Sequence, residues 1–335
     1  MPEAVSLASD PKSTGESVDS RRPLRILLAA PRGFCAGVRR AIDAVEEAID
    51  RFGAPVYVRR PIVHNLTVVR ALEAKGAIFV QELDEVPDDA VVIMSAHGIP
   101  RRIAGEADRR GLTWFDAVCP LVAKVHREVA RHHRDGRHVI LIGHLGHPEI
   151  SGTIGQLPDG AASVVQDGEG VRALDLAADA PVAYAVQTTY SVDEAEAVIA
   201  AVLDRFADVA APASSDICYA TTNRQAAIRA VSAEADAVIV AGERFSSNAC
   251  RLAEVARASG CASVQLVADP AEIDFSAIAE ARTLGISAAA STPEESVAAI
   301  LATLAGRFTL DVAETGEPAE ATVFKPMRFD PVRPA

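Results

Sequence analysis

Short apolar runs alternate with helical stretches along most of the chain, from Arg25 to about Leu304. Within each run the apolar residues are continuous rather than alternating, which is typical of parallel strands buried on both faces. The runs are Ile26–Ala29, Val56–Val58, Val91–Met94, Val139–Ile142, Val182–Val186, Val238–Ala241 and Thr283–Ile286. This alternation of strand and helix predicts an α/β fold built on parallel sheets.

The stretches between these strands carry the 3.6-residue periodicity of amphipathic helices. The first of them places its apolar side chains on one stripe: Val38, Ile42, Val45, Ile49 and Phe52. Two later helices have capping signals at their starts, Ser191-x-x-Glu194 and Thr292-Pro293-Glu294-Glu295. The segment after Gly306 contains four prolines, which predicts an extended C-terminal tail.

Three cysteines are spaced in a way that indicates a repeat. Cys35, Cys119 and Cys218 each begin a predicted helix. A polar loop follows each cysteine after 29, 28 and 28 residues, and a second polar position follows later. The first positions are His64, His147 and Ser246, and the second are His97, Thr188 and Ser291.

This repeat predicts three α/β lobes with small parallel sheets, related by a pseudo-threefold axis in a trefoil-like arrangement. Ligands of open α/β sheets bind at the carboxyl ends of the strands, and each polar position follows such an end. The three lobes would therefore surround one central cavity. The predicted division is a disordered tail at 1–22, lobes at 23–118, 119–214 and 215–304, and an extended tail at 305–335.

Composition narrows the function further. The chain has 335 residues, 49% of them hydrophobic, and a formal net charge of -13, which does not suit a general nucleic-acid-binding role. No apolar run approaches the roughly 18–20 residues that span a bilayer. The first 22 residues are polar and lack the apolar core of a signal peptide, so we expect a cytoplasmic protein without a membrane anchor.

The cysteines favour metal binding over disulfides. There are five, an odd number, and no pair forms the C-x-x-C of a zinc ribbon or a thioredoxin-like site. A helix N-terminus stabilises a thiolate, so we expect lowered pKa values at Cys35, Cys119 and Cys218. Three thiolates can hold three corners of a [4Fe–4S] cluster and leave one iron open. Cys250 and Cys261 lie within and after a later helix, where a packing role is favoured.

The polar loops suit an anion, because helix N-termini offer N–H donors and a favourable dipole. Ser246-Ser247-Asn248 and Ser291-Thr292-Pro293 each lead into a helix, as do the loops at His64 and His97. Capping alone explains the serines but not the histidines. The run His144-Leu145-Gly146-His147-Pro148-Glu149 adds a carboxyl group, which predicts Glu149 as a proton donor.

Several long motifs resemble one known family. They are PRGFCAGV (31–38), IVHN (62–65), SAHG (95–98), DAVCPLVAKVHREV (116–129), GHLGHPEISGT (143–153), QTTYSVD (187–193), DICYATTNRQ (216–225) and SSNACRLAE (246–254). Together they are similar to the LytB family, the 4-hydroxy-3-methylbut-2-enyl diphosphate reductases. The resemblance extends from about Leu24 to Leu304, nearly the whole of the predicted folded part.

The resemblance implies the last step of the non-mevalonate isoprenoid pathway. Two electrons and two protons remove the allylic hydroxyl of the substrate, giving isopentenyl and dimethylallyl diphosphate. Ferredoxin or flavodoxin would be the electron donor, and Glu149 the proton source. The implied ligands of one [4Fe–4S] cluster are Cys35, Cys119 and Cys218. The implied substrate-binding residues are His64, His97, His147, Thr188, Ser246, Ser247, Asn248 and Ser291.

Two departures and two alternatives stand beside this resemblance. Ala289 replaces a glycine usual in the family, and Cys250 occupies a position that is often Asn or another polar residue.

A non-redox iron–sulfur enzyme of the quinolinate synthase type would also combine three α/β repeats with three cysteines and an open iron. A sensing protein would use the cluster without turnover. The SSN, HPE and TTNRQ motifs argue against the first alternative, and the presence of Glu149 and Thr188 argues against the second.

Overall fold

All seven predicted strands are present in a computed structural model, which describes residues 21–316 and 320–330. They form the centres of three separate parallel sheets, as the continuous apolar runs require. The edge strands were not predicted from the sequence. The three-lobed α/β fold is therefore confirmed.

The first sheet has the strand order β3-β2-β4-β5. Its lobe and the strand that precedes it comprise β1 (Arg22–Ala30), α1 (Ala36–Phe52), β2 (Val56–Arg59), α2 (Leu66–Lys75), β3 (Ala77–Val80), β4 (Val91–Met94), α3 (Arg101–Arg109) and β5 (Thr113–Asp116). The register of the central pair aligns Tyr57 with Val92. The α1 stripe packs against this sheet, with Val45 fully buried and Phe52 near Phe115.

The second sheet has the equivalent order β7-β6-β8-β9. Its lobe comprises α4 (Pro120–Arg134), β6 (His138–Ile142), α5 (Pro148–Ile154), β7 (Ala162–Val165), α6 (Gly168–Arg172), β8 (Pro181–Val186), α7 (Val192–Arg205) and β9 (Asp208–Ala210). The predicted cap of α7 is confirmed, because the Ser191 side chain accepts a hydrogen bond from the Glu194 N–H.

The third sheet has five strands in the order β11-β10-β12-β1-β13. The lobe contributes α8 (Tyr219–Glu234), β10 (Ala237–Ala241), α9 (Ser247–Ala258), β11 (Ser263–Val267), β12 (Thr283–Ala288), α10 (Glu294–Ala305) and β13 (Phe308–Gly316). Pro293 is the N-cap of α10, one residue later than the sequence indicated. Thr292 instead donates its hydroxyl hydrogen bond to the Ala241 carbonyl, 3.1 Å away.

Strand β1 belongs to the third sheet and not to the first lobe, where the division at 23–118 had placed it. It pairs in parallel with β12 and with β13. Ile26 packs into the core on one face of that sheet, and Leu27 packs into the core on the other. A strand that is apolar on both faces is stable in the middle of a covered sheet, which the third sheet provides.

The C-terminal segment also differs from the predicted extended tail at 305–335. Helix α10 ends at Ala305, and β13 then forms the edge of the third sheet. Farther on, Met327 and Phe329 are buried in the core of the first lobe. The segment therefore connects the third lobe to the first. At the other terminus Arg22 already belongs to β1, and the predicted disorder of residues 1–20 lies outside the described residues.

None of the helices in residues 21–316 and 320–330 combines the length and apolar character that crossing a membrane requires.

Candidate active site

The three repeated cysteines are the N-caps of α1, α4 and α8, at the positions predicted from the sequence. Each cysteine N–H donates to a backbone carbonyl at or beside a second polar position of the repeat. The pairs are Cys35 to Ala290 at 3.3 Å, Cys119 to Ala96 at 3.0 Å and Cys218 to Thr188 at 3.0 Å. The same backbone contact therefore occurs at all three cysteines, as a pseudo-threefold arrangement requires.

The sulfur atoms of these cysteines converge on one space. A Cβ atom on Gly37 would lie 2.9 Å from Cys119 Sγ and 3.7 Å from Cys35 Sγ. The first distance is too short for a carbon atom, so a larger residue at this position would crowd Cys119 Sγ, whereas the second is an ordinary contact. The third thiol, of Cys218, accepts or donates a hydrogen bond at 3.1 Å with the Thr221 hydroxyl. All three cysteines line the same cavity.

The expected lowering of the cysteine pKa values is wrong for two of the three. Burial raises the pKa of Cys119 to about 11 and that of Cys218 to about 12, and the neighbouring Cys35 adds to both shifts. The thiolate loses more solvation energy on burial than the helix N-terminus returns. Metal binding at these thiols must therefore displace their protons.

The donor set fits an iron–sulfur cluster better than a single ion. Thiolate is a soft ligand that suits such clusters and zinc. Among the residues that the structure describes, no three His, Cys, Asp or Glu side chains are close enough to share one metal ion. The three thiols instead surround a wider space. Cys261 is buried in the core of the third lobe, and Cys250 donates to the Arg244 carbonyl, so neither lines the cavity.

Three imidazole rings form one wall of the cavity. The His64 and His97 rings are stacked with their centroids 4.3 Å apart, and His147 lies 5.6 Å from His64. Burial lowers the pKa of His64, lowers that of His147 to about 3, and lowers that of His97 well below its usual value. Mutual repulsion adds to the last two shifts. The three rings are therefore neutral at pH 7 in the free protein.

Helix N-termini and hydroxyl groups complete this wall. Ser246 is the N-cap of α9 and lies 3.4 Å from the Ser291 hydroxyl, which donates to the His64 carbonyl. Asn248 accepts the Ala290 N–H through Oδ1 at 2.8 Å, which leaves its amide group as a donor. Ser247 lines the cavity beside them. The wall is rich in donors and suits an anion.

Glu149 lies deep in the cavity and bonds to one residue twice. Its carboxylate accepts the Thr188 N–H at 2.6 Å and the Thr188 hydroxyl at 2.8 Å. Burial raises its pKa to about 7 despite these two bonds, and the Asp216 carboxylate adds to the rise. A carboxyl group with this pKa exchanges a proton readily near neutral pH.

All twelve residues selected from the sequence line this one cavity of about 120 Å³. Sequence reasoning missed Thr189 and Thr221, which also line it, although both belong to motifs already quoted. The structure places His144 elsewhere, where its ring contacts Tyr190 and bonds to Gln187 and Arg251.

Comparisons with known proteins agree with the resemblance. A family model described as LytB protein matches residues 26–305. The chain is 51% identical over 306 residues to the 4-hydroxy-3-methylbut-2-enyl diphosphate reductase of Gluconobacter oxydans, which covers 90% of this chain and 91% of that protein. It is 49% identical over 308 residues to the protein of the same name from Paracoccus denitrificans, covering 92% and 98%.

Solved structures give the same result. The E-1-hydroxy-2-methyl-but-2-enyl-4-diphosphate reductase of Plasmodium falciparum aligns with a TM-score of 0.84 at 33% identity, covering 91% of this chain and 96% of that one. A second reductase structure, of the terminal enzyme of the non-mevalonate pathway, aligns with a TM-score of 0.61 at 30% identity over 84% and 99%. These names favour the reductase over the quinolinate-synthase-type alternative. The chain therefore belongs to the LytB family.

Proposed function

We propose that this protein reduces 4-hydroxy-3-methylbut-2-enyl diphosphate to isopentenyl and dimethylallyl diphosphate. The observation that supports the proposal best is the convergence of three chemically different groups on one cavity. Three thiols, a carboxyl–hydroxyl pair and a donor-rich wall all line it. A reductive dehydroxylation of an allylic diphosphate needs a redox group, which the thiols would hold. It also needs a proton source, which the carboxyl–hydroxyl pair would supply, and an anion site, which the donor-rich wall would form.

Cys35, Cys119 and Cys218 would hold a [4Fe–4S] cluster, with one iron free of protein ligands. When bound, the cluster would supply electrons one at a time and a Lewis acid at its open iron. A ferredoxin or flavodoxin is the proposed donor of those electrons. The cysteine N–H bonds to three carbonyl groups fix the backbone at each ligand.

The opposite wall would bind the diphosphate. The neutral rings of His64, His97 and His147 can donate or accept hydrogen bonds, and the residues Ser246, Ser247 and Asn248 at the N-terminus of α9 line the same cavity. Binding the non-reacting diphosphate tightly would hold the allyl chain in one orientation. Ser291 of the third lobe already donates to the His64 carbonyl of the first, so a diphosphate bound by both residues would also hold the two lobes together.

Glu149 would deliver the proton through Thr188. In the ionised state its carboxylate accepts the Thr188 hydroxyl hydrogen bond. Once protonated, Glu149 can donate to the same oxygen, and Thr188 then directs its own proton into the cavity. Because the pKa of Glu149 is about 7, both states are populated at neutral pH.

The proposed function is tested with anaerobically reconstituted protein. The assay measures oxidation of a reduced one-electron donor in the presence of the hydroxylated diphosphate, and identifies the two products. We expect turnover with this substrate and none with the substrates of quinolinate synthase. Stoichiometric cluster without diphosphate reduction would instead support a sensing role.

We predict that Gly37→Ala weakens cluster retention without unfolding the protein. The new methyl group would lie 2.9 Å from Cys119 Sγ. The free thiol can rotate away, but a sulfur fixed by iron cannot. Overpacking of this kind costs about 1–3 kcal/mol, so we expect iron loss to a chelator to accelerate about tenfold or more.

The matched control for Gly37→Ala is Gly105→Ala. A methyl group at Gly105 would meet its nearest neighbour, Arg109 Nη1, at 3.5 Å, an ordinary contact. Gly105 is within α3, where alanine is the better helix former. We expect its rate of iron release to equal that of the unaltered protein and its unfolding temperature to be the same or higher. Equal iron release from both variants would contradict the placement of the cluster beside Gly37.

We predict that anion binding draws protons onto the histidine wall. The pKa values of His64, His97 and His147 lie below the usual value in the free protein, so the rings are neutral at pH 7. A bound diphosphate stabilises the imidazolium form and raises those pKa values. Affinity should therefore increase as the pH falls from 8 to 6. Calorimetry with inorganic pyrophosphate, in two buffers of different ionisation enthalpy, measures the proton uptake.

His64→Asn should reduce this uptake, because the His64 ring is the one nearest to both others, 4.3 Å from His97 and 5.6 Å from His147. His138→Asn is the control, since His138 lies at the start of β6 and bonds to Ser163. A binding heat that does not depend on the buffer would contradict the prediction.

A further inference from the structure

Behind Ser247 lies a chain of hydrogen-bonded side chains that the proposed reaction does not use. Arg251 Nη2 lies 2.9 Å from His144 Nε2, and His144 Nδ1 lies 3.2 Å from Gln187 Oε1. Gln187 Nε2 then donates to Thr189 Oγ1 at 2.8 Å, and Thr189 donates to Ser247 Oγ at 3.2 Å. The chain begins and ends on α9 of the third lobe and passes through three residues of the second.

The chain is held rigidly along its length. Gln187 is 1% exposed and Arg251 is 9% exposed. Arg251 also pairs with Glu194 and Glu254, each at 2.7 Å. Tyr190 packs against both the guanidinium and the His144 ring. Side chains fixed in this way have few alternative rotamers, so each hydrogen bond keeps one partner.

Donor and acceptor roles are determined at every step of the chain. A guanidinium group has only donors, so His144 Nε2 must accept and His144 Nδ1 must carry the proton. Gln187 Oε1 accepts from Nδ1 and also from the His144 backbone N–H at 2.9 Å, which fixes the orientation of the amide. Gln187 Nε2 is therefore a donor. The Thr189 hydroxyl accepts its hydrogen bond and donates one to Ser247 Oγ.

Two side chains of the second lobe direct hydrogen-bond donors at the Ser247 hydroxyl oxygen. Thr189 donates to this oxygen at 3.2 Å, and Gln187 Nε2 approaches the same oxygen at 3.5 Å. The proton of the Ser247 hydroxyl is therefore directed away from them. Ser247 lines the cavity, so that proton faces the ligand.

We propose that Arg251, His144, Gln187 and Thr189 are positioning residues that set the Ser247 hydroxyl as a donor toward the substrate diphosphate. This inference rests on the proposed function, which assigns Ser247 to the diphosphate. The Arg251 guanidinium has donors only, so it fixes the direction of the whole chain, and aligned hydrogen bonds strengthen one another. Ser247 then meets an acceptor-only ligand without reorienting, so the chain favours a diphosphate over a neutral ligand.

The test uses anaerobic holoprotein and the variants Arg251→Met, His144→Phe and their double mutant. Methionine removes the donors, and phenylalanine preserves the ring that packs on Tyr190. Calorimetry measures the Kd of inorganic pyrophosphate, and steady-state kinetics measure KM and kcat for the substrate. Arg257→Met is the matched control, because Arg257 is exposed on the same helix and donates to the Val264 carbonyl.

We expect each single variant to raise Kd and KM about tenfold, with kcat changed less than about threefold. The double mutant should bind pyrophosphate as tightly as either single mutant, because both substitutions interrupt the same chain of hydrogen bonds. Arg257→Met should bind like the unaltered protein. If a variant takes up less cluster, Thr189→Val replaces it in the test, because valine removes the hydroxyl that donates to Ser247 with little change of shape. We expect the same tenfold rise in Kd.

Two results would overturn the inference. One is a pyrophosphate Kd within twofold of the unaltered protein in both single variants. The other is a double mutant whose loss equals the product of the two single losses. Pyrophosphate binding needs no electron transfer, so the expected pattern in a protein that fails to reduce the diphosphate would support this inference while removing the proposed function.

Discussion

Cys35→Ser, Cys119→Ser and Cys218→Ser are each expected to lose the cluster and more than about a hundredfold of the turnover rate. Serine oxygen is a harder and less polarisable donor than thiolate and is a poor ligand for an iron–sulfur cluster. Each cysteine is the N-cap of a helix, a position at which serine is also favoured, so the fold should persist. Iron and sulfide analysis of anaerobic protein measures the loss directly.

The chain supplies two matched controls for these substitutions. Cys250→Ser changes a thiol on α9 that donates to the Arg244 carbonyl, a bond that a hydroxyl can replace. Cys261→Ser changes a buried thiol in the core of the third lobe, which should lower stability without changing the iron content. A full cluster and full rate in any of the three N-cap variants would show that the assigned ligand set is wrong.

Burial explains why the repeated cysteines were located from the sequence but their acidity was not. Their positions follow from local rules, because a helix start after a polar turn can be recognised from neighbouring residues. The pKa values of Cys119 and Cys218 depend instead on how three lobes close over the thiols. That desolvation arises from residues far apart in the chain, so the expected shift had the wrong sign.

The strands also differ in how far their own sequences predict them. Central strands such as β2 and β6 are apolar on both faces and were found from their sequence alone. The edge strand β5, Thr113–Asp116, mixes polar and apolar residues and resembles a loop in sequence. Strand β1 was recognised as a strand but assigned to the wrong lobe, because its partners β12 and β13 lie at the other end of the chain.

The site was largely predictable because its residues combine a spacing with a chemistry. His64, His97, His147 and Glu149 follow strand ends and line the cavity, whereas His144, which also follows a strand end, does not. Gln187 and Arg251 were not predicted to matter, since a buried Gln or Arg has no recognisable local pattern. Their contacts cross the boundary between the second and third lobes, where Arg251 lies against His144 and Gln187 approaches Ser247.

Glu149→Gln is expected to lower kcat by a factor of about 10²–10⁴ while the cluster content stays the same. Glutamine has the shape of glutamate, so its carbonyl can still accept the Thr188 N–H. It cannot release a proton, however, and its amide group would point donors at the Thr188 hydroxyl. Binding should change little, so we expect KM to stay within about threefold.

The pH dependence separates this role from a structural one. Burial raises the pKa of Glu149 to about 7, so the acid is protonated and competent below that pH and loses its proton above it. In the unaltered protein, kcat at saturating substrate should therefore fall as the pH rises through about 7, independently of any pH dependence of diphosphate binding. The residual activity of Glu149→Gln should lack this decline. Glu234→Gln is the control, because Glu234 is exposed at the end of α8 and should keep both the rate and the pH profile. An unchanged kcat in Glu149→Gln, or the same decline near pH 7, would remove Glu149 as the proton source and leave Thr188 to receive its proton from another group.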